Sequence, residues 1–431
     1  MTRALWAAGL VVLIAGPAAG QAVDIRIPPP SRSPYTLGGY LEARPALVWF
    51  DPDSALFKVR SPETATAGAR ARQFQSRLQL DAGYRRGWLS AQTRTVADVR
   101  HANAEWNATL TAYEAFVSVK PAPSLTVDLG KRTLKWGKGY IWNPAAFLDR
   151  QKSPEDPALA LEGAVVVSAD YIRTFDGPLQ VASLTPVLLP VAEGLNEHFG
   201  QTGHLNAAAR LYLLLWDTDI DVMWMGGGSR PGRVGFDLSR NLRSNIEVHG
   251  EWAHIPRAAT PVLQEDGVLV EQRHGATSAV VGARILTSQN TTVIVDYFRN
   301  GLGYRREEMA AYFDLVTRGH QAFEDTGDRR LLSSAGMATA AGYGQLTPMR
   351  NYVYGRVTQP DAWGVLYLML GASAIVNLDD RSYTILPEVQ HKPVENLEVR
   401  WLMNIQRGGT GTDFGERQAD VRIEVRARYY F

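Results

Sequence analysis

Apolar and polar residues alternate along much of the chain, most regularly in its last segment. Between Ala419 and Phe431 every second residue is apolar, and the residues between them are charged except for Tyr430. Side chains two residues apart lie on the same face of a β-strand. The segment therefore predicts a strand with one apolar face and one charged face.

The same period recurs in segments that are bounded by the turn-forming residues Gly, Pro, Asn and Asp. These segments predict an all-β fold of about 18 strands. The predicted strands lie near residues 36–48, 72–85, 88–100, 106–120, 124–135, 163–175, 179–190, 204–216, 218–226, 232–240, 243–254, 272–286, 290–300, 349–358, 363–376, 381–391, 395–406 and 417–431.

Short and long connections alternate between the predicted strands. Tight turns follow even-numbered strands, as at 85–87, 175–178 and 216–219, whereas most longer connections follow odd-numbered strands. A transmembrane β-barrel has short turns at one end and long loops at the other. The asymmetry therefore predicts an antiparallel up-and-down barrel.

Hydropathy bears on the choice between a membrane barrel and a soluble β-sandwich. After residue 22 no segment approaches the ~18 uncharged apolar residues of a spanning helix, and a membrane protein without such helices must close its sheet. A sandwich would place the apolar faces in a core, but it gives no reason for the alternating connection lengths. We expect a single transmembrane barrel over residues 36–431.

The N-terminal segment has the pattern of a secretory signal. Arg3 precedes an apolar run from Ala4 to Ala15, and small residues follow up to Ala22. The run is shorter than the ~20 residues that span a bilayer, so we expect a signal peptide over 1–22. A Pro-rich periplasmic tail is predicted over 23–35.

The end of the chain resembles the closing strand of Gram-negative outer-membrane barrels of the porin-like class. The resemblance is carried by the signal, the alternation and the ending from Val425 to Phe431. The size is also similar to that of alginate-export channels. The resemblance implies a bacterial outer-membrane location, surrounding lipid, and recognition of Tyr429 and Phe431 by the barrel-assembly machinery. Since many porins are trimers, it also implies a homotrimer.

Composition and motifs exclude several other functions. Basic and acidic residues nearly balance, 45 against 44, so nothing indicates nucleic-acid binding. Cysteine is absent, which excludes disulfides and thiolate chemistry. The segment Trp136–Gly139 lacks the spacing of a phosphate-binding loop, and no nucleophile, base and acid are arranged for catalysis. We expect no enzyme activity, no cofactor and no metal site.

The connection over 136–163 is a candidate constriction, because an early long loop of porin-like barrels often folds into the lumen. Arg132 and Lys138 lie at its start, and Asp149, Glu155 and Asp156 lie within it. Opposed charges across a narrow opening would orient polar solutes. The alternative is a solvated loop held by surface ion pairs.

The connection over 301–349 contains a helical pattern. Met309, Tyr312, Phe313 and Val316 recur at i, i+3, i+4 and i+7. They predict a helix near 306–323 with Gly319 as its stop, placed either in the mouth as a lid or on the rim. A third long connection is predicted over 256–272.

The charged strand faces are expected to line the lumen. A basic strip is predicted around the seam between the first and last strands, and more acidic residues elsewhere. Such segregation favours charged solutes, although the charges could equally pair across strands. The predicted seam residues are Arg44, Glu398, Arg400, Arg422, Glu424, Arg426 and Arg428, and the others are Glu247, His249, Glu251 and Asp296.

Two functions are compatible with these features. The first is a channel for small polar or charged solutes, constricted by loops that fold inward. The second is an outer-membrane component of an export or surface-anchoring system that binds a polysaccharide or a partner protein and has a plugged or gated barrel. An open lumen favours the first function, and a filled lumen favours the second.

Overall fold

The computed structural model of the protein describes residues 33–61, 70–102, 105–157, 159–226, 228–264 and 266–431. Residues 34–431 form one compact unit. The predicted signal peptide, and the predicted tail up to residue 32, lie outside the described residues.

The chain forms a single closed sheet of 18 strands, which confirms the predicted fold class. Each strand pairs antiparallel with its neighbours in sequence, and β1 pairs with both β2 and β18. The strands are β1 Tyr35–Phe50, β2 Arg70–Arg86, β3 Leu89–Ala102, β4 Glu105–Ala122, β5 Leu125–Arg132, β6 Ala164–Thr174, β7 Leu179–Val191, β8 His204–Leu215, β9 Thr218–Met225, β10 Arg233–Arg243, β11 Ile246–Leu263, β12 Leu269–Leu286, β13 Thr292–Arg299, β14 Asn351–Gln359, β15 Leu368–Asn377, β16 Tyr383–Val394, β17 Leu397–Arg407 and β18 Ala419–Tyr430.

Charged residues face the interior of the barrel and apolar residues face outward. On β1 the Glu42 side chain is fully buried, whereas its neighbour Leu41 is 52% exposed. On β18 Arg426 is buried and Tyr429 is exposed. A soluble protein shows the reverse arrangement, so the outer surface is suited to lipid.

The third predicted long connection is wrong. The strands β11 and β12 continue to Leu263 and from Leu269, so most of the segment 256–272 is a paired hairpin. The register shifts between Ile255 and Ala258, next to Pro256. Proline cannot donate a ladder hydrogen bond and is found at bulges, which interrupted the alternation in the sequence.

Three helices lie in the long connections. Helix α1, Ala55–Arg60, follows β1, and helices α2, Arg306–Thr326, and α3, Arg330–Ala338, lie between β13 and β14. Only α2 was predicted. Among the described residues, no helix is long and apolar enough to cross a membrane.

The predicted helix stop at Gly319 is wrong. Helix α2 continues past it and ends before Gly327, which has a left-handed φ of 73°. A Cβ on Gly319 would lie 2.9 Å from the backbone nitrogen of Leu332 in α3. This glycine therefore permits close packing of two helices instead of ending one.

We predict that Gly39→Ala destabilises the barrel at its closure. Gly39 exchanges two backbone hydrogen bonds with Phe431, at 3.0 and 3.1 Å, and an added Cβ would lie 2.1 Å from the carbonyl oxygen of Gln79. Relief of that overlap costs about 1–3 kcal/mol. Urea unfolding in detergent should show a lower midpoint. Gly355→Ala is the control, since its Cβ meets nothing within 4 Å; equal midpoints for both variants would refute the prediction.

Candidate functional site

The connection between β5 and β6, residues 133–163, crosses the inside of the barrel and is called the inner loop below. Its first half bonds to lumen-facing side chains of β11 and β13. Its second half forms ion pairs and hydrogen bonds with β17 and β18. The inner loop is thus attached to two separate parts of the barrel wall.

The Glu251 carboxylate on β11 holds the first half of the inner loop. It accepts backbone hydrogen bonds from Lys138 at 3.0 Å, Gly139 at 3.2 Å and Ala145 at 2.6 Å. It also accepts one from the Asn143 side chain at 3.2 Å. Backbone N–H groups that converge on one carboxylate form an anion-binding concavity.

The segment Trp136–Gly139 is explained by this carboxylate. Gly137 has a φ of 89°, and a Cβ there would lie 2.7 Å from Glu251. A Cβ on Gly139 would lie 2.0 Å from the carbonyl oxygen of Trp142. The two glycines therefore allow the loop to wrap around the protein's own carboxylate. Sequence reasoning excluded a phosphate but did not identify this anion.

Other lumen-facing residues also lie beneath the inner loop. Asp296 on β13 accepts the Tyr140 backbone N–H at 3.2 Å and contacts His249 Nε2 at 3.1 Å. The Lys138 ammonium lies 3.2 Å from Asp221 on β9. Glu251, His249 and Asp296 are all nearly inaccessible to solvent. The acidic side chains of Glu251, Asp296 and Asp221 therefore support the inner loop. Glu247 lies beside them and pairs with Arg284 at 3.0 Å.

The inner loop is also bonded to itself. The Asp149 carboxylate accepts backbone N–H groups of Leu134 and Trp136, both at 2.9 Å. Burial raises the pKa of Asp149, and these hydrogen bonds partly oppose the effect. The Lys152 ammonium donates to the Gly139 carbonyl at 2.8 Å. Together these contacts fix the loop as an ordered turn.

The tip of the inner loop contacts β17 and β18, next to the seam between β1 and β18. Asp156 forms ion pairs with Arg426 and, at 3.6 Å, with Arg400. Glu155 accepts a hydrogen bond from Asn404 at 2.7 Å and lies 3.9 Å from Arg422. Burial alone would raise the pKa of Asp156, but Arg426 and Arg400 outweigh it and hold the pKa below its usual value.

The predicted seam residues lie close together, and their charges are paired. Arg428 lies 2.6 Å from Glu42, which also pairs with Arg44. Arg426 and Arg422 both contact Glu424. Lys392 lies 3.6 Å from Glu398, and Arg400 and Arg356 share Glu388. Arg132, which was predicted at the start of the candidate constriction loop, is the last residue of β5 and pairs with Asp128 on the same strand.

The helices form an apolar cluster at the long-loop end, called the lid cluster below. Met309, Tyr312, Phe313 and Val316 of α2 are buried in it. It also contains Trp142 of the inner loop and lumen-facing residues of β12 to β15. Helix α1 packs against α2 and α3. The lid cluster therefore packs against the inner face of this part of the wall.

The lumen contains a series of cavities, which begins beside the seam. A cavity of about 180 Å³ near Phe50 adjoins one of about 260 Å³, with Gln73, Glu155 and Arg422 in both walls. The second shares Asp156 with a cavity of about 600 Å³. That cavity shares Trp136 with a fourth of about 680 Å³, which reaches the short-turn end.

The architecture was compared with known proteins. No protein-family model and no curated relative matches the sequence. OccK11 of Pseudomonas aeruginosa has a similar structure, with a TM-score of 0.52 and 10% identity, over 92% of this chain and 96% of that one. The chain therefore has a porin-like β-barrel fold. OccAB3 of Acinetobacter baumannii has a TM-score of 0.48 and 10% identity, over 92% of this chain and 99% of that one. Salmonella typhi OmpF in complex with daunomycin has a TM-score of 0.45 and 10% identity, over 92% of this chain and 97% of that one.

The closed sheet and its apolar outer face are suited to a barrel that spans a membrane. Sequence reasoning did not identify Asp221 and Asn404 as contacts of the inner loop. It also did not identify Arg100, which lines the cavity of about 260 Å³. All three occupy lumen-facing strand positions. Parity therefore could have placed them in the lumen, but not at these contacts.

We predict that Glu251→Ala releases the first half of the inner loop. Three backbone N–H groups would lose their charged acceptor. A single hydrogen bond to a charged group contributes about 1.5–3 kcal/mol to stability. Hydrogen–deuterium exchange of residues 137–146 should accelerate, while exchange of β1 and β18 stays slow. Glu271→Ala, at an exposed ion pair, is the control. Unchanged exchange in the Glu251 variant would refute the assigned role.

We predict an acid-dependent contribution of Asp156 to stability. Because its pKa is lower in the folded protein, its stabilising effect is present above the unfolded pKa and is lost as pH falls through the folded value. Asp156→Asn should lower the free energy of unfolding by about 1.5–3 kcal/mol at pH 7. Urea titrations should show that this difference decreases as the pH falls below about 4. A difference that grows on acidification would contradict the assignment. Asp217→Asn, in an exposed turn, is the control.

Proposed function

We propose that this porin-like barrel is a diffusion channel through which small polar or charged solutes cross the outer membrane. The observation that supports it best is the series of cavities in the lumen, from the long-loop end to the short-turn end. Successive cavities share wall residues and lie on both sides of the inner loop.

The inner loop is proposed to set the constriction of this channel. Its acidic tip residues Glu155 and Asp156 line the seam cavity of about 260 Å³ together with Arg44, Arg422 and Arg426. Acidic and basic groups therefore face each other where the passage narrows. Such an arrangement orients dipolar solutes.

The charges along the passage favour anions over cations. The cavity of about 600 Å³ is lined by six basic residues and three acidic ones. Four of the basic residues also pair with carboxylates outside this wall. The basic residues are Arg94, Lys135, Arg150, Lys152, Arg400 and Arg428, and the acidic ones are Asp149, Asp156 and Glu398. A positive lumen attracts anionic solutes and lowers the permeability of cations.

The plugged export or surface-anchoring system is the second hypothesis. It predicts a filled lumen. The cavities in the lumen favour the channel over this hypothesis. Lipid around the outer face, the barrel-assembly machinery and a homotrimer remain expected partners.

Single-channel conductance of the refolded protein in planar bilayers tests the channel. We expect steady conductance in KCl with a higher permeability for chloride than for potassium. The same measurement is made on a variant in which a short Gly–Ser linker replaces residues 305–345, so that α2 and α3 are absent. Silence of the intact protein with large conductance of this variant would support the plugged barrel and overturn the open channel.

We predict that Arg100→Gln lowers the chloride-to-potassium permeability ratio. Arg100 is one of four arginines in the seam cavity, so its removal should lower the ratio by about twofold. Arg299→Gln is the matched control, because Arg299 is exposed beside the outward-facing Tyr297. A ratio that is unchanged in the Arg100 variant, or lowered equally in the control, would argue against a conduction path along the seam.

A further inference from the structure

Three carboxyl groups lie in one row on the lumen face of β9, β10 and β11, next to the first half of the inner loop. Asp221 and Asp237 are direct register partners, and Glu251 is the partner of Asp237 on its other side. Residues directly opposite each other in an antiparallel sheet have Cβ atoms about 4.5–5.5 Å apart, and like charges at such positions are destabilising. Full ionisation of this row is therefore unfavourable.

Two of the three carboxyl groups are compensated. Glu251 accepts the backbone hydrogen bonds of the inner loop. Asp221 Oδ2 lies 3.2 Å from the Lys138 ammonium. Asp221 Oδ1 lies 3.7 Å from Arg210 Nε, which is close enough for attraction but too far for a hydrogen bond.

Asp237 has no such compensation. It is 0% exposed, and Asp221 is 2% exposed. Among the described residues, neither oxygen of Asp237 has a hydrogen-bond partner, and Oδ1 of Asp221 also lacks one. An ionised carboxylate only accepts hydrogen bonds, so two ionised groups cannot bond to each other. Ionisation of both would leave three buried oxygen atoms without a donor, which is costly away from water.

We propose that Asp221 and Asp237 form a proton-binding pair, in which one shared proton stabilises the wall beneath the inner loop. With the proton on Asp237, its hydroxyl donates to Oδ1 of Asp221. One proton thus gives a partner to two of the three unpaired oxygens. The third is then the carbonyl oxygen of a neutral acid, which is easier to bury than a charge. Two carboxyl groups that share one site resist double ionisation.

A metal cation is less suited to this position than a proton. Lys138 and Arg210 already bring two positive charges to Asp221. Within the part of the chain that the structure describes, no group of three or more His, Asp or Glu side chains could hold a metal ion. A proton needs only the two carboxyl groups. With it, the charges of Asp221, Asp237 and Lys138 add up to zero.

The charged and titratable groups around the pair come from four elements. Strand β8 contributes two of them, β9 one, β11 two and the inner loop one. They are Arg210, Tyr212, Asp219, His249, Glu251 and Lys138. Because all six are unchanged in an Asp237→Asn variant, a difference between that variant and the unaltered protein reports on Asp237.

Infrared spectroscopy of the detergent-purified full barrel tests for the proton directly. At pH 7 we expect the C=O stretch of a protonated carboxyl group, and Asp237→Asn should remove that band. Asp217→Asn, in an exposed turn, is the matched control and should keep it. No loss of the band in the Asp237 variant would overturn the proposal. So would the absence of any band that shifts on carbon-13 labelling of aspartate, a measurement that needs no variant.

Urea unfolding separates a shared proton from a buried ionised group. The amide of the Asp237→Asn variant can donate in place of the hydroxyl, so its midpoint at pH 7 should equal or exceed that of the unaltered protein. Asp221→Asn should lower the midpoint, because Lys138 loses its counter-ion. A lowered midpoint in both variants would mean that Asp237 is ionised, and it would overturn the shared proton. Heat-dependent gel mobility checks that each variant is folded.

The dependence of unfolding on pH gives a further test. At pH 7 an aspartate of the unfolded chain is ionised, so the folded protein binds one proton more and stability decreases as pH rises. Above pH 7 the unfolding equilibrium constant of the unaltered protein should increase by up to about tenfold per pH unit relative to Asp237→Asn. Equal pH dependence of the two proteins would contradict the proposal. None of these measurements requires conductance, so the pair and the channel function are tested separately.

Discussion

The pairing of β1 with β18 is the interaction on which the rest of the structure depends. Inside a hydrocarbon layer no water can bond to an open strand edge, so each unpaired backbone group would cost several kcal/mol. Closure removes both edges, and the bonds between Gly39 and Phe431 extend it to the last residue of the chain. Once the sheet is closed, alternate side chains must face either lipid or the lumen, and this sorting places the charged residues inside.

A charged interior creates a second requirement, because buried charges are stable only when they are compensated. Most seam arginines meet a carboxylate from the same strand, from a neighbouring strand or from the inner loop. On the opposite side, Glu251 accepts hydrogen bonds from three backbone N–H groups. The first half of the inner loop thus compensates an acidic part of the wall, and its second half compensates a basic part beside the seam.

The strands and their faces could be predicted from the sequence, since the period of two is imposed locally at each residue. Helix α2 was predictable for a similar reason, because Met309 to Val316 repeat with the helical period. The contacts of the inner loop were not predictable. Glu251 and Ala145 are separated by 106 positions, and alternation shows that Glu251 faces inward but not which loop it meets. Gly319 carried a misleading signal, since a packing glycine and a stop glycine look the same in sequence.

The hydrogen bonds between Glu251 and the inner loop also bear on the order in which the structure assembles. The loop lies between β5 and β6, whereas the carboxylate that shapes it belongs to β11. Its tip meets residues of β17 and β18, which are the last strands of the chain. The inner loop therefore cannot make all of its contacts until β11, β17 and β18 are in place. Its final shape is set only when the last strands join the wall.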